Sequence, residues 1–118
     1  MNDQSGEKIR RKVMGDAFVD KATSNADEFT RPLQEYINDH CWGAVWTRSG
    51  LDLKTRSLIT IAMLTALKAP QELKGHIRGA INNGCTKEEI RETLLHTAAY
   101  CGVPATQEAF RAAIEIII

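Results

Sequence analysis

The sequence predicts an all-α protein. Three observations carry that reading. Apolar residues recur at intervals of three and four along most of the chain. Proline, glycine and capping residues fall where those periodic segments begin and end. No stretch shows the two-residue alternation of a half-buried strand.

Taken in order, the first segment, about Gly6 to Lys21, is weakly periodic and reads as partly extended or wrapped on a neighbour. Thr30 followed by Pro32 marks a helix start, because proline is tolerated in a first turn. Leu33, Tyr36, Ile37, Cys41, Ala44 and Val45 then repeat at helical spacing until Gly50. Asp52 is placed to cap the next helix. Its apolar positions (Leu58, Ile59, Ile61, Ala62, Met63, Leu64, Ala66, Leu67) run almost all the way round, so it is expected to be central and buried. Pro70 restarts the chain. Leu73, Ile77, Ala80 and Ile81 form a stripe that stops at Asn83-Gly84, where glycine suits a left-handed helix end. Thr86 to Glu89 fits a capping box and introduces Ile90, Leu94, Leu95, Ala98 and Ala99. After Gly102-Val103-Pro104 a last helix carries Phe110, Ala113, Ile114 and Ile117.

The 118 residues suit one domain, 1–118, read as an N-terminal arm (1–25) and a helical core (26–118). Lys+Arg and Asp+Glu both total 15. That balance argues against general nucleic-acid or membrane-surface binding, which needs a basic excess. No apolar run approaches the ~18 residues of a membrane span, and the polar start MNDQSGEKIRRK lacks the apolar centre of a signal peptide. A cytoplasmic location is expected. Cys41, Cys85 and Cys101 are far apart with no CxxC, which reads as reduced thiols. The apolar ending IEIII and the all-apolar helix predict a homo-oligomer that buries them between subunits.

Candidate chemistry centres on Glu72 and His76. One helical turn apart, they share a face, so the carboxylate can orient the imidazole and raise its pKa for proton transfer. The same spacing also occurs in solvated surface pairs. Two such groups fall short of the three or four ligands of a metal site, and nothing in the spacing of His40 or His96 recruits them; no metal is expected. Arg56, early in an apolar helix, needs a partner: Asp52 four residues back, or an anionic substrate held by the guanidinium fork. Arg48 and Arg78 lie nearby in sequence. Trp42 and Trp46, one turn apart, suit either a pocket wall or core packing.

Four segments, GDAFVDKA, WGAVWTRSGLDLKTRSLITIAMLTAL, ELKGHIRGAINNG and TKEEIRETLLHTAAYCGVPA, together resemble the 4-carboxymuconolactone decarboxylase family, in register from about Gly15 to Phe110. The resemblance implies an alkylhydroperoxidase D-like all-α helical bundle, assembled as a ring, typically a homohexamer. It implies a carboxy-lyase of the β-ketoadipate pathway that converts 4-carboxymuconolactone to 3-oxoadipate enol-lactone and carbon dioxide without a cofactor. His76 and Glu72 would be catalytic, and Arg48, Arg56, Trp42 and Trp46 would bind substrate. Phe18 stands where many relatives have histidine, Ser49 replaces a frequent proline, Leu53-Lys54 replaces a basic pair, and Cys85 replaces a branched apolar residue.

The implied substrate carries its own electron sink, since loss of carbon dioxide sends electrons through the ring double bond to the lactone carbonyl. A site for it needs a cation for the retained acetate arm, a donor for the developing oxyanion and an acid to protonate carbon. His76 fits the third role and Arg48 or Arg56 the first. Two alternatives are a family member acting on a different unsaturated acid and a thiol-dependent peroxidase-like protein lacking CxxC. A non-catalytic helical assembly is a third.

Overall fold

Gly15, at φ +93°, divides the N-terminal segment into two helices, α1 (Ser5–Met14) and α2 (Asp16–Ser24), in a computed structural model that describes residues 4–117. The segment read as partly extended or wrapped on a neighbour is therefore helical. Glycine adopts this backbone without the Cβ penalty that other residues meet. A short helix α3 (Arg31–Tyr36) follows, with Pro32 in its first turn as expected, and continues into a π-helix (Ile37–Trp46). Then come α4 (Leu53–Ala66), α5 (Pro70–Asn82), α6 (Lys87–Cys101) and α7 (Val103–Ile117). No strand occurs among the described residues, so the all-α expectation holds.

These elements group into two compact units, one ending at Asp52 and the next beginning at Leu53. The boundary expected near residue 25 falls inside the first of them, between α2 and α3.

In the first unit α1 packs on the π-helix. Buried Gly6, Arg10 and Val13 lie at helical spacing along α1. A Cβ at Gly6 would overlap the Asn38 carbonyl and come within 2.8 Å of the Gly43 amide nitrogen. Two backbones therefore touch where a side chain cannot fit. The π-helix also changes the buried register. Leu33, Tyr36 and Val45, expected to face inward, are exposed; Trp42 and Trp46 are buried instead. From Ile37 on, the i→i+5 turn is wider than an α-turn, so Trp42, Val45 and Trp46 drift off the 3.6-residue stripe that the sequence pattern assumed, while Leu33 and Tyr36 precede it in α3.

In the second unit α4 packs against α5 and α6, and α7 against α5 and α6. Ile61, Leu73, Ile77, Ala80, Ile90, Leu94 and Ala109 build its core. Contrary to the expectation of a wholly buried α4, only Ser57, Ile61 and Thr65 are buried, one stripe at four-residue spacing, while Ile59 and Met63 are exposed, as is Leu67 just beyond its end. Four-helix packing within one chain covers a single face of each member. Ile81, Leu95 and Ile114 are likewise exposed. The buried hydroxyls are satisfied locally: Thr65 Oγ1 donates to the Ile61 carbonyl at 2.8 Å, and Thr97 and Thr106 share a 2.8 Å bond between α6 and α7.

The capping box at α6 is complete. The Glu89 amide donates to Thr86 Oγ1 at 3.0 Å and the Thr86 amide to Glu89 Oε1 at 2.8 Å. That second bond, with Lys54 at 3.2 Å, holds the Glu89 carboxyl below its ordinary value. The support is therefore full above the unfolded carboxylate range and is lost as pH falls through the lowered folded value. Thr86→Ala is expected to cost about 1 kcal/mol, and in acid titrations of stability Glu89→Gln is expected to flatten part of the wild-type slope. Gly6→Ala is expected to cost about 1–3 kcal/mol by forcing α1 off the π-helix, read as a lowered midpoint in denaturant.

Candidate active site

α5 starts at Pro70 and carries Glu72 in its first turn, where the helix dipole favours a carboxylate. Leu73, Ile77 and Ala80 are fully buried and set the roll of the helix. With that stripe facing the core, Glu72 and His76 run along an adjoining edge. Glu72 is exposed; His76 is half-buried, and its Nδ1 is sealed from solvent. Gly75 and Gly79 lie three residues beyond Glu72 and His76 and are buried. They put no side chain beside either group along that edge.

Arg56 stands in the first turn of α4, half-buried, with Nε sealed from solvent. Its helix runs antiparallel beside α5. The tie is at one end: Asn83 Nδ2 donates to Ser57 Oγ at 2.9 Å and to the Leu53 carbonyl at 3.3 Å. At the other end the Ala69 amide donates to the Leu64 carbonyl at 3.0 Å, closing the connection. The second unit thus sets Arg56 and the Glu72/His76 pair on neighbouring helices. Because Ser57 meets Asn83, Arg56 stands near the far end of α5, with His76 about two turns and Glu72 about three turns back along that helix.

Trp42, Trp46 and Arg48 belong to the first unit. The two indoles stack with centroids 4.5 Å apart and planes at 27°, and both are buried. Arg48 is exposed just past the end of the π-helix. His40 and His96 are exposed and lie against Tyr36 and Tyr100, with ring centroids 4.6 and 5.4 Å apart. Among the described residues no group of three or more His, Cys, Asp or Glu side chains is placed to hold a metal ion. Cys41 and Cys101 are exposed thiols and Cys85 a buried one, with its Sγ 3.7 Å from the Lys54 carbonyl.

The residue that sequence reasoning missed is Arg10. It is only 5% exposed, and its Nη1 donates to Gln34 Oε1 and Asn38 Oδ1, both at 3.0 Å. Its guanidinium carbon lies 5.9 Å from the centroid of the Phe18 ring. Burial pushes the guanidinium below its ordinary value, while Glu7 works in the opposite direction. The available signal was its four-residue spacing from Gly6, on the same face as Val13. Phe18, one of the departures from the resembled pattern, thus serves as a platform for this cation.

The model of the Carboxymuconolactone decarboxylase family matches residues 31–115. The chain belongs to the carboxymuconolactone decarboxylase family. The matched span runs from α3 into α7 and contains Trp42, Trp46, Arg48, Arg56, Glu72 and His76. The chain is similar to nitrosuccinic acid decarboxylase of Metarhizium robertsii, 53% identical over 104 residues, 88% of this chain and 73% of that one. It is also similar to 4-carboxymuconolactone decarboxylase of Acinetobacter baylyi, 41% identical over 120 residues, 98% of this chain and 90% of that one. Family membership carries the alkylhydroperoxidase D-like all-α assignment and makes the chain an enzyme of the decarboxylase class. No helix among the described residues is long and apolar enough to cross a membrane.

Removing Arg10 strips the Gln34 and Asn38 amide oxygens of a shared donor. Arg10→Ala is expected to destabilise the chain by about 1–3 kcal/mol, measured by denaturant unfolding. An unchanged midpoint would show that these bonds contribute nothing.

Proposed function

We propose that this chain catalyses the cofactor-independent decarboxylation of 4-carboxymuconolactone to 3-oxoadipate enol-lactone, a step in protocatechuate breakdown. The observation that carries the reading is the placement of Glu72 and His76 along one edge of α5, beside the helix that bears Arg56, within a chain matched over 98% of its length by a decarboxylase of that substrate.

The carbon that loses carbon dioxide also bears an acetate arm and adjoins a conjugated lactone. The C–CO2 bond breaks, its electron pair moves through the ring double bond to the lactone oxygen, and the dienolate then takes a proton on the carbon beside the carbonyl. Arg56 holds the retained carboxylate and leaves the departing one unstabilised, so it binds substrate without deepening the ground state that the reaction must leave. His76 delivers the proton, and Glu72, one turn away on the same face, orients it.

A second reading rests on the 53% identity to nitrosuccinic acid decarboxylase. In nitrosuccinate, as in the lactone, the reacting carbon carries a carboxylate, a carboxymethyl arm and an electron sink, here the nitro group. One site chemistry serves both: a cation for the arm and an acid for the carbanion. What separates them is the shape of the sink.

Turnover decides between them. 4-Carboxymuconolactone generated in situ from 3-carboxy-cis,cis-muconate, and nitrosuccinate in parallel, are each added to the purified protein. Carbon dioxide and the decarboxylated acid are followed together. Enol-lactone formation is the expected result; release of 3-nitropropionate alone transfers the assignment to the second reading, and silence on both substrates refutes both. His76→Ala is expected to lower kcat by roughly 10²–10⁴-fold. Arg56→Ala is expected to raise KM at least tenfold. A folded His76→Ala variant with full turnover would sink the acid role.

A further inference from the structure

α6 and α7 form a hairpin that turns at Gly102, and the 2.8 Å bond between Thr97 and Thr106 joins them near that turn. Away from the turn the two helices leave a groove of about 280 Å³ between them. Lys87, Ile90, Arg91 and Leu94 line it from α6, at the i, i+3, i+4, i+7 spacing of a single helix face. Phe110 and Ile114, one turn apart on α7, line it from the other side. Apart from the two cations, every lining residue is apolar. Glu72, His76 and Arg56 are not among them.

Charge is confined to one end of this groove. Lys87 and Arg91 are exposed at the start of α6, where the positive end of the helix dipole adds to them. No acid lines the groove among the described residues. Glu92 reaches Arg91 at 3.5 Å and Glu88 only at 4.0 Å, both from outside the lining, and solvated pairs of this kind exchange readily for a better-placed acid. Glu89 is committed to its capping box and to Lys54. Three carboxylates around the helix start disfavour a second negative charge, so a monoanion suits this end better than a phosphate dianion. From Lys87 to Leu94 the lined face of α6 is about 10 Å long, the reach of a medium-length acyl chain.

We propose that the α6/α7 groove binds a small apolar monocarboxylate, a medium-chain fatty acid in size and chemistry, with its carboxylate between Lys87 and Arg91 and its chain running toward Leu94 and Phe110. Removal of the chain from water drives binding. The cations set its direction, because a guanidinium fork and an ammonium both donate to a carboxylate. An apolar pocket with a few convergent polar groups is the usual form of a small-molecule site. This site shares no residue with the Glu72, His76 and Arg56 arrangement, so its occupancy does not depend on which acid the protein decarboxylates.

Titration of the full chain with sodium octanoate, followed by calorimetry and by methyl spectra of isoleucine-labelled protein, tests this. Octanoate is expected to saturate with a dissociation constant at or below about 5 mM. It is expected to shift the methyls of Ile90 and Ile114 and to leave those of Ile59, exposed on α4, in place. 1-Octanol, the same chain without the charge, is expected to bind at least about threefold more weakly, and octylamine is not expected to displace octanoate. Lys87→Glu and Arg91→Glu are each expected to weaken octanoate binding by roughly three- to tenfold and to narrow its advantage over octanol. Ile114→Glu is expected to abolish binding. All three positions are exposed, and far-UV circular dichroism checks the fold of each variant. No saturation in that range, octanol binding as tightly as octanoate, or charge-reversed variants that bind octanoate as wild type does overturns the proposal. Groove methyls that move on dilution of the protein and not with octanoate also overturn it, and assign the groove to a second copy of the chain.

Discussion

Burial of Leu73 and Ile77, with Ala80, sets the roll of α5, and that roll decides where Glu72 and His76 lie. Each of the two large side chains contributes roughly 1.5–3 kcal/mol by leaving water. Together they permit one rotation of the helix. Given that rotation, Glu72 and His76 take the edge next to the core instead of its opposite face. The Asn83 side chain then fixes the slide of α5 along α4 by bonding Ser57 and the Leu53 carbonyl. That slide sets Arg56 near the Asn83 end of α5, about two turns along from His76.

The first unit is held by a different device. Gly6 brings the α1 backbone against the π-helix backbone at Asn38 and Gly43, and Arg10 bonds the amide side chains of Gln34 and Asn38. Close backbone approach and a buried cation replace the branched aliphatic packing of the second unit. A buried guanidinium joined to neutral amides keeps its desolvation cost only partly offset.

Much of the surface stays apolar. Ile59, Met63, Leu67 and Ile114 are exposed although the sequence pattern groups them with the core. The pattern records that a position is apolar. It does not record whether the covering atoms come from the same chain.

The sequence by itself determined where α3, α5, α6 and α7 begin. Pro32, Pro70, the Thr86–Glu89 box and the glycines at 84 and 102 act through local backbone geometry, which needs no distant partner. It also put Glu72 and His76 on one helix face, because four-residue spacing on a helix is a local property, and the motifs from Gly15 to Phe110 determined the family. Only the tertiary structure decided which apolar positions are covered, since covering is a contact between elements. It alone revealed the π-helical register that buries Trp42 and Trp46, the buried Arg10, and the antiparallel seat of α5 on α4. Each of these depends on residues 20 or more positions apart meeting in space, as Arg10 does with Gln34 and Asn83 with Ser57, and no periodicity within one segment encodes such a meeting.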